Sequence, residues 1–469
     1  MKHFNLLSLL VLLALCLAAA RPAHAQTGPN GDQYEACANC GIQVGGYIFG
    51  QILNLNTNAD YQFCSVGPNC NDGWAPIAPL LLGPDKNFYG VTYYGGAGGL
   101  CGGGNGCGTV WEMNPYTYGL TTLYSFCMAA GCADGYWPDG GLIQGPGTTL
   151  YGTTSRGGAH GYGTVFEIVT ASGRAAPTYP LTTIYSFSGA TDGAYPSGSL
   201  TLDSNGDIHG TTTSGGANGD GTAFVITPGG TLKSVTSFGG SKNNNGSNPN
   251  GNMQEVSGSF YGTTAYGGKF QQGTIFKVTK AGDISTIASF DGTNGATPLA
   301  GLVLGTDGNL YGTTSAGGSG ESGTAAGGTA FRVTTKGKLT TLQSFSADGT
   351  DGYAPAIGLF QDVNGNFYGL TSVGGATGQG GFFSLSEGLA PFVETLPASG
   401  PVGTLVTILG DNLTDATSVT FKGIEATFTV VSSNEIDATV PDGAKTGTVQ
   451  VVTSGSTLSS NVPFTVEKK

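Results

Sequence analysis

The chain has 469 residues, 84 of them Gly, a formal charge of −13, and only 10% charged side chains. A chain so poor in Lys and Arg repels phosphate backbones, which argues against nucleic acid as a partner. That much Gly without a collagen-type period usually marks low complexity, yet 23 Phe, 20 Tyr and 3 Trp at recurring positions can bury a core.

In chain order, Lys2 and His3 precede an apolar run from Leu6 to Ala20, and Ala23-His24-Ala25 is a small-residue cleavage site. Residues 1–25 read as a signal peptide with cleavage near Ala25-Gln26. Losing Lys2 and Arg21 moves the charge from −13 to −15. The run is short for a membrane anchor, and Leu15 before Cys16 argues against a lipoprotein. No second apolar segment follows, so no membrane span is expected in the mature chain. The expected location is secreted or at the cell surface, with the periplasm as the alternative.

Residues 26–46 form a Gly- and Cys-containing lead-in. Eight Cys lie between Cys37 and Cys132, an even number that reads as a disulfide framework in an exported chain. Cys37-Ala-Asn-Cys40 is open to three readings: a short structural disulfide, a redox motif, or half a zinc site. The first is preferred, because no second close Cys/His pair stands at zinc spacing.

From residue 47 to 386 one text recurs: aromatic-Gly-Thr-Thr, a Gly-Gly pair, Gly-Thr-apolar-Phe, then Ser-Phe. Its first part stands at Tyr89-Gly90, Tyr151-Gly152, His209-Gly210, Tyr261-Gly262, Tyr311-Gly312 and Tyr368-Gly369, about 50 to 62 residues apart. Within one unit Ser289-Phe290, Leu299–Leu304, Leu310–Ser315 and Thr329–Thr334 read as four short strands joined by Asp-Gly, Asn-Gly and Gly-Gly turns. Four antiparallel strands in about 50 residues make one propeller blade. The expected fold is all-β: a six-bladed β-propeller, alternatively seven-bladed, followed by an Ig-like β-sandwich. A spare strand at Gly46-Tyr47-Ile48-Phe49 would help to close the ring.

Cys64 and Cys70 follow Phe63 as Cys127 and Cys132 follow Phe126, so the repeat pairs each couple within its own loop. Cys101 and Cys107 would pair in the same way. After Ser386 the repeat stops. Residues 391–469 hold seven short strand-like runs with turns between them, which suggests an Ig-like sandwich without the Cys…Trp…Cys signature.

Two families are resembled. Leu310-Tyr311-Gly312-Thr313-Thr314, Gly317-Gly318 and Gly328-Thr329-Ala330-Phe331-Arg332-Val333 resemble the Gloeobacter/Verrucomicrobia (GloVer) tandem repeat of secreted bacterial proteins. That resemblance implies a secreted or surface location and no defined activity. Pro397–Thr404, Ile408–Leu413, Val419–Gly423 and Val440–Ala444 look like an IPT/TIG domain. Such domains commonly serve as spacers or adhesive modules, so this implication is analogy at the level of fold.

The chemistry on offer is limited. His209 occupies a slot where five other repeats carry Tyr, and His160 lies in a variable loop. A Ser-His-Asp triad or a His-based metal site is therefore not expected, and no Walker-type loop appears. No cofactor and no metal are expected. The recurring Tyr89, Tyr151, Tyr261, Tyr311 and Tyr368 are read as packing between blades.

Asp72-Gly-Trp74, Asp134-Gly-Tyr136-Trp137, Asp192-Gly-Ala-Tyr195 and Asp351-Gly-Tyr353 stand at one blade position. In a propeller that position falls on one face. Aromatic faces beside carboxylates suit sugar rings, whereas the structural alternative is an Asp-Gly turn with its aromatic packed on the next blade. The functional expectation is a secreted, non-enzymatic binding or adhesion protein whose partner is extracellular polysaccharide or another surface protein. The alternatives are a polysaccharide lyase or glycosidase on the same face, and a passive spacer.

Overall fold

The computed structural model describes residues 63 to 467 except for several loop segments, the longest being 171–179, 320–325 and 240–244. The signal peptide, the lead-in, Cys37, Cys40 and the spare strand at Phe49 lie outside the described residues.

Six antiparallel sheets follow one another along the chain. The first holds Leu81–Leu82, Phe88–Thr92, Thr109–Met113 and Leu120–Ser125, hydrogen-bonded in that order. Four more four-stranded sheets repeat the pattern, starting at Ile143, Ala194, Ser247 and Val303. The sixth has three strands among the described residues, Phe360–Gln361, Phe367–Thr371 and Gly381–Leu385. The first strands of successive sheets approach one another. A Cβ on Gly198 would meet Gly251, and one on Gly251 would meet Ala300 and Gly301. Glycine here lets the backbones crowd together where the sheets converge.

The strand phase differs from the sequence reading. The strand before each Phe, such as Ile284–Ser289 before Phe290, is the last strand of the preceding sheet and not the first of the next. The Phe then crosses the seam. Phe126 packs edge-on to Phe166 of the second sheet with ring centroids 5.2 Å apart. Phe63–Trp111, Phe187–Phe224, Phe238–Phe276, Phe290–Phe331 and Phe345–Phe383 repeat this contact. The rings of Phe126, Phe187, Phe238 and Phe290 are fully buried. Edge-to-face pairs of this kind add about 0.5–1.5 kcal/mol each beyond their burial.

The other repeated letters have equally local reasons. The two threonines of the text meet across neighbouring strands, as in Thr154 and Thr164, whose hydroxyls are 2.8 Å apart. The Gly after Tyr makes room for the next strand's aromatic, since a Cβ on Gly152 would stand 2.5 Å from Phe166 Cζ. The Tyr slot does pack between sheets: Tyr311 stacks on Phe367 at 4.0 Å, and His209 stacks on Phe260 at 3.7 Å. His209 is buried, and burial holds its imidazole below its ordinary value against the opposing pull of Asp203.

The C-terminal unit is a separate β-sandwich. One sheet orders Glu394–Leu396, Leu405–Leu409, Glu435–Thr439 and Phe428–Ser432; the other orders Ile424–Glu425, Ser418–Phe421, Val449–Val452 and Thr457–Ser459. Its core is built from Val406, Ile408, Val419, Phe421, Ile436 and Val451. It docks on the sixth sheet through the Phe392 amide, which donates to Val363 O at 2.8 Å. An ion pair, Lys86 Nζ to Glu435 Oε1 at 2.9 Å, ties it to the first sheet.

Candidate functional site

The recurring aspartates are turned into their own loops. Asp134 is buried and accepts from Tyr124 OH at 2.8 Å, the Met128 amide at 3.0 Å and the Ala129 amide at 3.3 Å. Asp192 accepts from Tyr185 OH at 3.0 Å, the Ser188 amide at 2.8 Å and the Ser188 hydroxyl. Asp72 accepts from the Ser65 amide and hydroxyl at 2.9 and 3.0 Å. In the fourth sheet Asn245 does the same for the Gly239 amide. These side chains brace the crossing from one sheet to the next, the turn-shaping role that the sequence also allowed for Asp72, Asp134 and Asp192. The reason is physical: a carboxylate beside unpaired loop amides is held by them first. Asp351 lies outside the described residues.

The aromatics beside them behave differently. The residue before each Pro adopts a left-handed backbone in all six repeats: Ala75, Trp137, Tyr195, Asn248, Thr297 and Ala354 have φ between 53 and 59°. Its amide reaches back to the preceding repeat, as Trp137 N does to Cys107 O at 2.9 Å and Tyr195 N to Tyr162 O at 2.9 Å. Asn suits this conformation; a bulky Trp or Tyr is an outlier there. Strained positions of this kind cluster at ligand sites.

Trp137 and Tyr195 sit at one aromatic seam over the first three sheets. Trp74 stacks on Tyr94 at 4.5 Å, and Tyr93 stacks on Trp137 at 5.4 Å and 20°. Tyr94 and Tyr136 meet Trp137 edge-on at 6.0 and 5.1 Å. Tyr136 pairs through its backbone with Arg156, whose guanidinium lies 3.6 Å from the centre of the Tyr195 ring. All these rings are half-buried, and Tyr162 beside Tyr195 is exposed. Tyr353, in the sixth repeat, pairs by backbone with Val373 as Tyr136 does with Arg156.

One carboxyl belongs to the seam. Asp139 follows Pro138, and its Oδ1 is buried without a hydrogen-bond partner. Burial pushes this carboxyl up to about 7, against the opposing pull of backbone amides and Arg156. The field of Asp139 also reaches Tyr93, whose hydroxyl is pushed up to about 12, chiefly by burial, while Ser155 and Arg156 oppose the shift. Asp139, Ser155 and Arg156 thus all act on the Tyr93 hydroxyl.

Sequence reasoning singled out Trp74, Tyr136, Trp137 and Tyr195 and passed over their neighbours Tyr93, Tyr94, Asp139 and Arg156. A signal was present: after Gly-x-Thr the first two repeats carry Tyr93-Tyr94 and Ser155-Arg156, whereas the last two carry Ser315-Ala316 and Ser372-Val373. The three expected bridges within the described residues are present as Cys64–Cys70, Cys101–Cys107 and Cys127–Cys132. Among the described residues the one cluster of metal-ligating side chains is Cys101, Cys127 and Cys132, with sulfurs within 4.8 Å of one another, and all three are in these bridges. No helix among the described residues is long and apolar enough to cross a membrane.

The repeating four-stranded sheets and the C-terminal sandwich define an all-β, propeller-type repeat protein with an Ig-like module. The Gloeobacter/Verrucomicrobia repeat model matches residues 21–242 and 102–326, and the IPT/TIG domain model matches residues 392–466. The chain belongs to the Gloeobacter/Verrucomicrobia repeat family and carries an IPT/TIG domain at 392–466. No curated protein matches it.

Among solved structures it is similar to a luciferin-regenerating enzyme, at 12% identity and a TM-score of 0.40 over 65% of this chain and 89% of that one. It is also similar to the periplasmic gluconolactonase of Pseudomonas aeruginosa, at 14% identity and a TM-score of 0.37 over 74% and 96%. A third is TolB from Acinetobacter baumannii, at 12% identity and a TM-score of 0.33 over 72% and 61%. Likeness this distant carries no activity across.

Proposed function

We propose that this is an exported, non-enzymatic binding protein that works at or outside the cell surface and holds carbohydrate on the aromatic seam of the first three sheets. The observation that carries the reading is the pair Trp137 and Tyr195. Both keep bulky rings at left-handed positions where the equivalent residues are Ala, Asn or Thr. Together with Trp74, Tyr93, Tyr94 and Tyr136 they offer flat apolar faces of the kind sugar rings stack on. Tyr hydroxyls supply hydrogen bonds at the edge. Export is supported by the signal-like segment 1–25 and by three disulfides. The IPT/TIG unit then serves as a spacer or a second adhesive surface.

The test is retention on a panel of insoluble or immobilised glycans. The intact protein is retained on at least one, and Trp137→Ala combined with Tyr195→Ala abolishes retention while the melting transition remains cooperative. Failure of the whole panel sinks the proposal.

A second reading rests on Asp139 alone, since a carboxyl near 7 suits acid–base chemistry. It predicts new reducing ends or unsaturated sugars, lost in Asp139→Asn.

A further inference from the structure

Arg156 is the cation of the seam; it feels the Asp139 carboxyl but makes no ion pair among the described residues. The ion pairs among the described residues involve Lys86, His209, Lys233, Lys280 and Arg332, and none involves Arg156. Its guanidinium carbon lies 3.6 Å from the centre of the Tyr195 ring, half-buried. At the same place the other repeats carry Tyr94, Ser214, Tyr266, Ala316 and Val373, so repeat packing does not require a cation there. The chain as a whole carries −13, with 17 Lys and Arg against 30 Asp and Glu. A lone guanidinium framed by aromatic rings in such a chain has a specific chemical fit: a planar anion, bound through two parallel N–H···O bonds, attached to a ring that stacks alongside.

We infer that the ligand of the aromatic seam is an acidic sugar chain, with the carboxylate of a uronic acid unit bound by Arg156 and the flanking sugar rings laid on Trp137 and Tyr195. This rests on the carbohydrate-binding reading above and narrows it to one class. Two observations beside Arg156 agree with it. Trp137 and Tyr195 come from successive repeats on either side of Arg156, so the ring faces and the charge alternate along the seam. Asp139 feels the Arg156 charge, yet the two form no ion pair among the described residues.

The experiment is titration calorimetry with oligogalacturonate and oligoalginate, each against the same oligomer with its carboxyl groups reduced to alcohols. The expected result is an affinity for at least one acidic oligomer about ten- to a hundredfold above its reduced counterpart, the size of a charge-assisted bidentate contact. That preference falls to about onefold in Arg156→Met and is partly kept in Arg156→Lys. Raised salt weakens the acidic oligomer and leaves the reduced one unchanged. Equal affinity for acidic and reduced oligomers overturns the inference and leaves carbohydrate binding standing. No affinity for either acidic oligomer also overturns it, and retention on a neutral glycan then decides the broader reading separately. The comparison on the intact protein needs no variant, so a folding defect in Arg156→Met cannot obscure the outcome.

Discussion

Tyr93 and Trp137 stack across the boundary between the first and second sheets, with ring centroids 5.4 Å apart and planes 20° from parallel. One ring directly follows the strand Phe88–Thr92; the other occupies a left-handed position in a later loop. Their contact is both a seam between sheets and part of the proposed ligand platform. Replacing Trp137 by Ala should therefore cost stability as well as binding. A double-mutant cycle with Tyr93→Ala, read by urea unfolding, should give a coupling of about 0.5–1.5 kcal/mol. Additive single effects would show that the stacking contributes nothing.

The left-handed slot itself makes a separate prediction. Ala354 occupies it with φ 53° and only a methyl group. A residue with a Cβ is disfavoured there by about 1–2 kcal/mol, partly offset in Gly by its greater unfolded-state entropy. Ala354→Gly should stabilise the protein by about 0.5–1 kcal/mol in a thermal melt. A lowered transition would show that the slot carries no strain.

Gly152 tests the repeat text from the opposite side. A Cβ there would stand 2.5 Å from Phe166 Cζ and 3.0 Å from Leu142 Cδ2, both buried. Gly152→Ala overpacks a seam that has no room to give, with an expected loss of about 1–3 kcal/mol. Denaturant midpoints measure it directly.

The junction between the two units should respond to pH. Burial, reinforced by the nearby Asp362, pushes the Glu394 carboxyl up from 4.5 to about 8. A carboxyl whose folded value is raised is held better protonated in the folded state than in the unfolded one. Its favourable contribution is fully present below about 4.5 and is lost as pH rises to about 8. Melting of the C-terminal unit should fall across that window in the native protein, and Glu394→Gln should flatten the fall. An unchanged slope in the variant assigns the pH response to another group.

The bridges give the simplest check. Cys64, Cys70, Cys101, Cys107, Cys127 and Cys132 should all be unreactive toward thiol reagents before reduction. Reactivity at any of these six would contradict the pairing.

Much of this was legible in the chain alone. A text repeated at blade length forces repeated sheets, because each unit can bury its aromatics only against a neighbour, and Phe126 on Phe166 shows that rule at work. Cysteines at equivalent repeat positions had to close their own loops. The C-terminal family motifs likewise marked the sandwich.

The tertiary structure decided what the letters could not. Whether Asp134 faces a ligand or its own loop depends on where the unpaired amides of Met128 and Ala129 lie, and that is a matter of three-dimensional hydrogen bonding. The phase of the strands depended on which sheet each Ser-Phe run joined. The seam joins Tyr93, Trp137, Asp139 and Arg156 from two repeats, residues brought together by packing and not by spacing along the chain. Local sequence sets the shape of each repeat; the charge and ring faces that a ligand meets exist only once neighbouring repeats are pressed side by side.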